Sequence, residues 1–187
     1  SRKPGRHHRN TAVIAVTQQL PHTPAEYLTA CRQSAAASAD GDPHWDPPPA
    51  DVLDLDWAPA MLEQVCQLAG LDRVHLDALR HATAGDSLID LGFLTTHPHA
   101  IGPFGPPPTT LSAAQVTHVS ELLGQIDFPA VLDRLPTEDT EAASLIGHGA
   151  DKIVGGPRKY LLGHFNALRE FYHAASQRHL LLMLWWD

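Results

Sequence analysis

No stretch of this chain constrains its fold as much as the end, where an amphipathic helix from about Pro157 to Gln177 runs into the apolar segment Leu180 to Trp186. Leu161, Phe165, Leu168, Tyr172 and Ala175 recur at alternating steps of four and three, which sets one apolar face along a 3.6-residue period. Tyr160, His164, Ala167 and Phe171 flank that face, and Arg169, Glu170 and Gln177 fall on the other side. Gly156 and Pro157 suit the start, because a proline at the first helical position has its φ pre-set and gives up an N–H that has no partner there. The run Leu-Leu-Leu-Met-Leu-Trp-Trp that follows is too short for another full helix and does not alternate. It reads as a strand covered on both faces, and so as an inner strand of a sheet. Burying helix face and strand together contributes on the order of 1.5 to 3 kcal/mol per large side chain before entropy is subtracted.

The rest of the chain supplies the layers around this unit. Val13, Ile14 and Val16 predict a first strand over about Thr11 to Leu20, closed by Pro21. Thr23, Pro24 and Glu26 predict a capped helix start, with the helix running through Tyr27, Leu28 and Cys31 toward Ser38. Asp40 to Asp51 is a loop rich in proline, glycine and aspartate, and Trp45 is placed to pin it down. Asp56 is then expected to cap a helix carrying Met61, Leu62, Val65 and Leu68 that stops at Gly70, and a second helix is expected over Asp72 to Ala84, stopping at Gly85. Ser87 to Leu94 reads as a short strand or extended segment. The five prolines and two glycines of His97 to Thr110 exclude helix and central strand, while Ile101 and Phe104 predict that the segment lies against the body. Leu111-Ser112-Ala113-Ala114-Gln115 is a second capping box, opening a helix that ends near Gly124. Short helices follow at about Phe128 to Leu135 and Thr137 to Ile146, then a loop over Gly147 to Gly156.

At 187 residues with 43% apolar composition, the chain can build one sizeable core. The expected fold is α+β: a single compact domain over residues 11–187, with a small mixed sheet including the first and last strands and helices packed mainly on one face. Residues 1–10, SRKPGRHHRN, form a flexible basic segment without an apolar anchor. The apolar stretch Ala12 to Val16 behind it is shorter than a signal-peptide core of about 7 to 15 residues. No run approaches the roughly twenty apolar residues needed to cross a membrane. Cys31 and Cys66 have no C-x-x-C spacing and fit packing roles in a reducing cytoplasm. A formal charge of -8 disfavours nucleic acid as a partner of the body.

Few residues suggest chemistry. His97 and His99 form the best metal pair, but a zinc site needs at least one further ligand that no spacing supplies, so neither a metal nor another cofactor is expected. Asp51, Asp54 and Asp56 put three carboxylates in six residues, without the glycine and distal glutamate of an EF-hand loop. Gly155-Gly156-Pro157-Arg158-Lys159 sits at a helix start that can offer free N–H groups to an anion, but lacks the Walker spacing. Serine, histidine and aspartate are all present without a G-x-S-x-G elbow, so no catalytic residue is assigned. Trp45, Trp57 and Phe104, in or beside loops, are the candidates for interface anchors or for lids on the core.

The segments TPAEYL, LDLDWAPAMLEQV, IGPFGPPPTTLSAAQV, LLGQIDFPAVLDRL and YLLGHFNALREFYHAASQRHLLLMLWWD together resemble the YfbM-like family of small bacterial proteins of unknown function. The resemblance runs from about Val13 to Asp187. It implies a compact cytoplasmic α+β domain and carries over no catalytic residue. The leading functional expectation is a non-enzymatic cytoplasmic protein that binds another macromolecule, its acidic surface suiting a basic protein partner, of immunity or adaptor type. The alternative is a small-molecule-binding protein or hydrolase-type enzyme, with a pocket where the 97–104 loop meets the C-terminal helix. The candidate binding residues are His97, His99, Phe104, Trp45, Trp57 and His164.

Overall fold

A computed structural model describes residues 17–87, 89–96, 101 and 106–186. Strand β1 (Gln18–Thr23) leads into helix α1 (Ala25–Ala37), and after a loop come β2 (Val52–Asp56), α2 (Ala58–Leu68) and α3 (Arg73–Ala84). Strand β3 (Thr109–Leu111), helices α4 (Ala113–Gly124), α5 (Phe128–Asp133), α6 (Asp139–Ile146) and α7 (Pro157–Gln177), and strand β4 (Leu181–Trp186) complete the order. The four strands lie in the order β2-β1-β4-β3. The α+β class and the sheet built on the first and last described strands are as the sequence predicts. The pairings are antiparallel throughout, where the sequence reading expects a mixed sheet.

β4 lies between β1 and β3, an inner strand as its unbroken apolar run requires. Because side chains alternate across a strand, Leu182 and Leu184 join the main core, while Leu181, Met183 and Trp185 join a second cluster on the opposite face with Leu28, Leu91 and Leu94. Residues from α2 through α7 fill the main core, and α7 lays Leu161, Phe165, Leu168, Tyr172 and Ala175 into it, all fully buried. α1 and the 3-10 turn Gly92–Leu94 cover the other face. Trp45 closes that side, edge-on to Trp185 at 6.1 Å and tilted against Tyr27 at 5.7 Å, so it pins the proline loop as expected.

Several local expectations are corrected. β1 does not stop at Pro21 but runs through it to Thr23, with Pro21 opposite Val52; Val13, Ile14 and Val16, which prompted the strand, lie outside the described residues. Thr23 pairs with Leu181 in the sheet and so cannot cap α1, whose N-cap is Pro24 with no side-chain bond. Asp56 does not cap α2 either: it ends β2, a strand that the acidic sequence concealed, and Trp57 takes the cap position. None of the described residues of Ser87 to Leu94 forms a strand: an isolated bridge joins Asp86 to Thr110, and Gly92–Leu94 make the 3-10 turn. The capping box at Ser112 forms as predicted, reciprocal with Gln115, while α3 starts one residue later than expected, with Asp72 outside it as the N-cap.

Candidate functional site

Of the predicted site residues, the structure brings His164 together with two features the sequence singled out separately, the carboxylates of Asp54 and Asp56 and the glycine-led start of α7. Against β1, the register slips between Gln18 and Gln19: Gln18 faces Asp56 while Gln19 faces Asp54, leaving Leu55 as the extra residue of a bulge. Leu55 turns into the core with no exposure. Asp56 takes a positive φ of 51°, and its N–H donates to the Asp54 carboxylate at 2.7 Å. The bulge thus re-aims both acids at the end of the strand.

α7 approaches from the other side. Gly155 and Gly156 hold φ of 87° and 88°, a left-handed pair that glycine adopts without a Cβ penalty, and Pro157 then opens the helix. Tyr160 and His164, one turn apart, meet edge to face at 4.4 Å. The Tyr160 hydroxyl donates to Asp56 Oδ2 at 2.8 Å and accepts the Trp57 N–H at 3.3 Å. Burial first, and then the neighbouring Asp56 carboxylate, push the Tyr160 phenol well up from its ordinary value. Burial also lowers His164, against the opposing pull of Asp56 and Asp54, which favours its neutral imidazole.

Asp54, Lys159, Tyr160 and His164 line an open concavity of about 530 Å³, with Gly155 and Gly156 at its edge. Val154 at its rim is 99% exposed, and Trp57 beside Tyr160 is 52% exposed. The other charges flagged in the sequence are engaged elsewhere. Asp51 lies 3.8 Å from both Arg178 and His22, and Arg158 pairs with Asp139 at 3.0 Å while donating to the Leu135 and Pro136 carbonyls. The three acids therefore do not converge on one point, and no cluster of three potential metal ligands occurs among the described residues.

Chemically, the concavity offers the Asp54 carboxylate, the His164 imidazole and the Lys159 ammonium. Tyr160 has its proton committed to Asp56, and none of the described lining residues is a serine, threonine or cysteine. His97, His99 and Phe104 lie outside the described residues. Ile101, from the same loop, packs in the cluster on the face of the sheet opposite α7, which separates that part of the loop from His164. Trp45 is a packing residue, and Trp57 is the exposed aromatic. Sequence reasoning took Lys159 only as part of the Gly155 to Lys159 helix start and passed over Tyr160 as a site residue; the i, i+4 spacing of Tyr160 and His164 was the available signal. No protein-family model matches the chain, and no curated protein or solved structure matches it significantly.

Proposed function

We propose that this protein acts by binding a basic segment of another protein at the Asp54, Trp57 and Val154 surface, without catalysis. The observation that carries this reading is the placement of two exposed apolar side chains, Val154 in the lining and Trp57 beside Tyr160, at an open concavity lined by the Asp54 carboxylate. Large exposed apolar groups beside unneutralised acids suit a partner that brings both apolar contact and positive charge. The chain's formal charge of -8 supports the same polarity, and the Trp57 ring can take a guanidinium or ammonium on its face. The proposal extends the sequence resemblance: a YfbM-like bacterial protein of the cytoplasm, of immunity or adaptor type, with a basic toxin as the concrete partner.

Titration with a peptide of arginine, lysine and leucine, and with its glutamate-substituted counterpart, tests this reading. The basic peptide should bind with an affinity that falls with salt, and Trp57→Ala and Asp54→Asn should each weaken it several-fold. The amide introduced by Asp54→Asn keeps a side-chain oxygen for the Asp56 N–H, so this change removes charge without removing the turn. Equal binding of the two peptides, or indifference to both substitutions, would sink the proposal.

A further inference from the structure

Helices α4 and α7 touch at Thr117 and Ser176, where the Ser176 hydroxyl donates to Thr117 Oγ1 at 3.3 Å. Three and seven residues further along α4 stand Ser120 and Gly124, and three and seven residues back along α7 stand His173 and Arg169, so each pair shares a helix face. The two pairs, with Glu170, line a hollow of about 370 Å³, within the range of small-molecule pockets of roughly 300 to 1,000 Å³. It shares no lining residue with the concavity at His164. Gly124 leaves one wall open, since no atom lies within 4 Å of the place a Cβ would take.

The polar groups of this hollow lack partners in the protein. Ser120 is 9% exposed, and its hydroxyl makes no hydrogen bond to another described residue. Its Oγ is not sealed in: among the described residues, the unpartnered side-chain atoms closed to solvent are Gln18 Oε1 and His22 Nδ1, so the Ser120 hydroxyl opens to the hollow that it lines. Arg169 spends one N–H on Asn166 Oδ1 at 3.2 Å and lies 5.9 Å from the centroid of the Phe165 ring, which holds the guanidinium in place while most of its donors stay free. Adjacent residues on a helix do not face each other, so Arg169 and Glu170 do not neutralise one another. Neither Arg169 nor His173 meets a carboxylate, and Glu170 meets no cation, among the described residues. One cation, one anion and one buried hydroxyl thus stand unengaged around a surface that is otherwise mainly apolar. A buried hydroxyl without a partner is uncommon and calls for one, and a free cation beside a free anion suits a ligand that carries both charges. We infer that the hollow is a binding site for a free α-amino acid with an aliphatic side chain, its carboxylate taken by Arg169 and Ser120 and its ammonium by Glu170.

The probe is L-leucine. Its controls share the aliphatic body: isocaproate, which lacks the ammonium, and isoamylamine, which lacks the carboxylate. In ¹H–¹⁵N spectra of the full chain, leucine should give saturable shifts at the Ser120, Gly124 and Glu170 amides and at the Arg169 Nε–H. Each control should bind about tenfold more weakly, having lost one set of charge-assisted hydrogen bonds. Arg169→Gln should cut leucine binding by a similar factor without weakening isoamylamine, and Glu170→Gln should cut it without weakening isocaproate. Gly124→Leu, at an exposed helix end with room for a Cβ, fills the hollow and should abolish the shifts while leaving the melting transition in place. Leucine and either control binding alike, no saturable shift, shifts confined to other residues, or shifts that persist in Gly124→Leu would each overturn the inference.

Discussion

The Tyr160 hydroxyl donates to the Asp56 carboxylate at 2.8 Å across a sequence separation of 104 residues, tying the first turns of α7 to the end of β2. The same oxygen accepts the Trp57 N–H, so one phenol satisfies a half-buried acid and the backbone that starts α2. Tyr160→Phe removes both bonds and leaves their partners to water. Thermal or urea unfolding should show a loss of about 1 to 2 kcal/mol, together with a change in tryptophan emission from Trp57. An unchanged midpoint would mean that the bond adds nothing to stability.

The histidines make opposite contributions to the pH dependence of stability. His22 is buried, stacked on Phe171 at 4.5 Å and 3.8 Å from Asp51, with Arg178 close to the same acid. Burial lowers its pKa from 6.5 despite Asp51. The native state then refuses a proton that the unfolded chain accepts, so this contribution is complete above 6.5 and is lost as pH falls toward the lowered folded value. His164 acts in the same direction. His75, between Asp72 at 2.7 Å and Gln125 at 2.8 Å, is raised, chiefly by its bond to Asp72; its contribution is complete below 6.5 and is lost as pH rises through the folded value. Side-chain NMR titrations should place His22 and His164 below 6.5 and His75 above it. His22→Phe, which keeps a ring on Phe171, should reduce the stability lost between about pH 7 and about pH 5.

Gly85 stops α3 at φ 63° and ψ −165°, a region that is essentially glycine's alone. A Cβ there would lie 2.5 Å from Thr109 Oγ1 and 2.8 Å from Leu184 Cδ1, forcing the helix end away from β3 and β4. Gly85→Ala should cost about 2 to 4 kcal/mol. Gly41→Ala is the comparison, since its φ of 75° carries strain but no atom lies within 4 Å of the added Cβ; its loss should be clearly smaller. Equal losses would show that the contact at Gly85 is relieved without cost.

What the sequence revealed and concealed follows from the range of the interactions involved. α7, β4 and the Ser112 cap are written in residues only a few positions apart, so periodicity and capping chemistry locate them. β2 was hidden because two of its five residues are acids that face away from the core, while a bulge buries Leu55 between them; locally, Asp56 before Trp57-Ala58-Pro59 looks like a helix cap. Pro21 within β1 was hidden because a proline reads as the end of a strand unless the pairing around it is known. The candidate site is non-local in the same way. Asp54, Asp56 and His164 were each visible, but their meeting depends on the Tyr160 bond and on the order of strands, neither of which has a short-range pattern.

Cys66 has no exposure and its thiol is pushed up to about 12 by burial; Cys31, 3% exposed, is raised for the same reason. Thiolate is the reactive species, so neither should react with a thiol reagent while the chain is folded. Both should be titrated on unfolding in urea, with the rate of labelling following the unfolding transition. Rapid labelling of Cys31 under native conditions would show that α1 opens locally from the second cluster.

The last strand supplies the most severe test of the fold. Leu182 and Met183 have no exposure, yet they point into different clusters on the two faces of the sheet. Each should cost about 2 to 5 kcal/mol when cut to alanine, and because the two sites share few partners their effects should be close to additive. Deleting residues 180–187 removes both contributions and leaves β1 and β3 without the strand that joins them. With the buried Leu180, Leu181, Leu184 and Trp185 lost as well, the deletion is comparable to the roughly 5 to 15 kcal/mol that holds a typical domain together, so the truncated chain should show no cooperative melting transition. A truncated protein that still melts cooperatively would show that the helices around α7 form a core without the sheet.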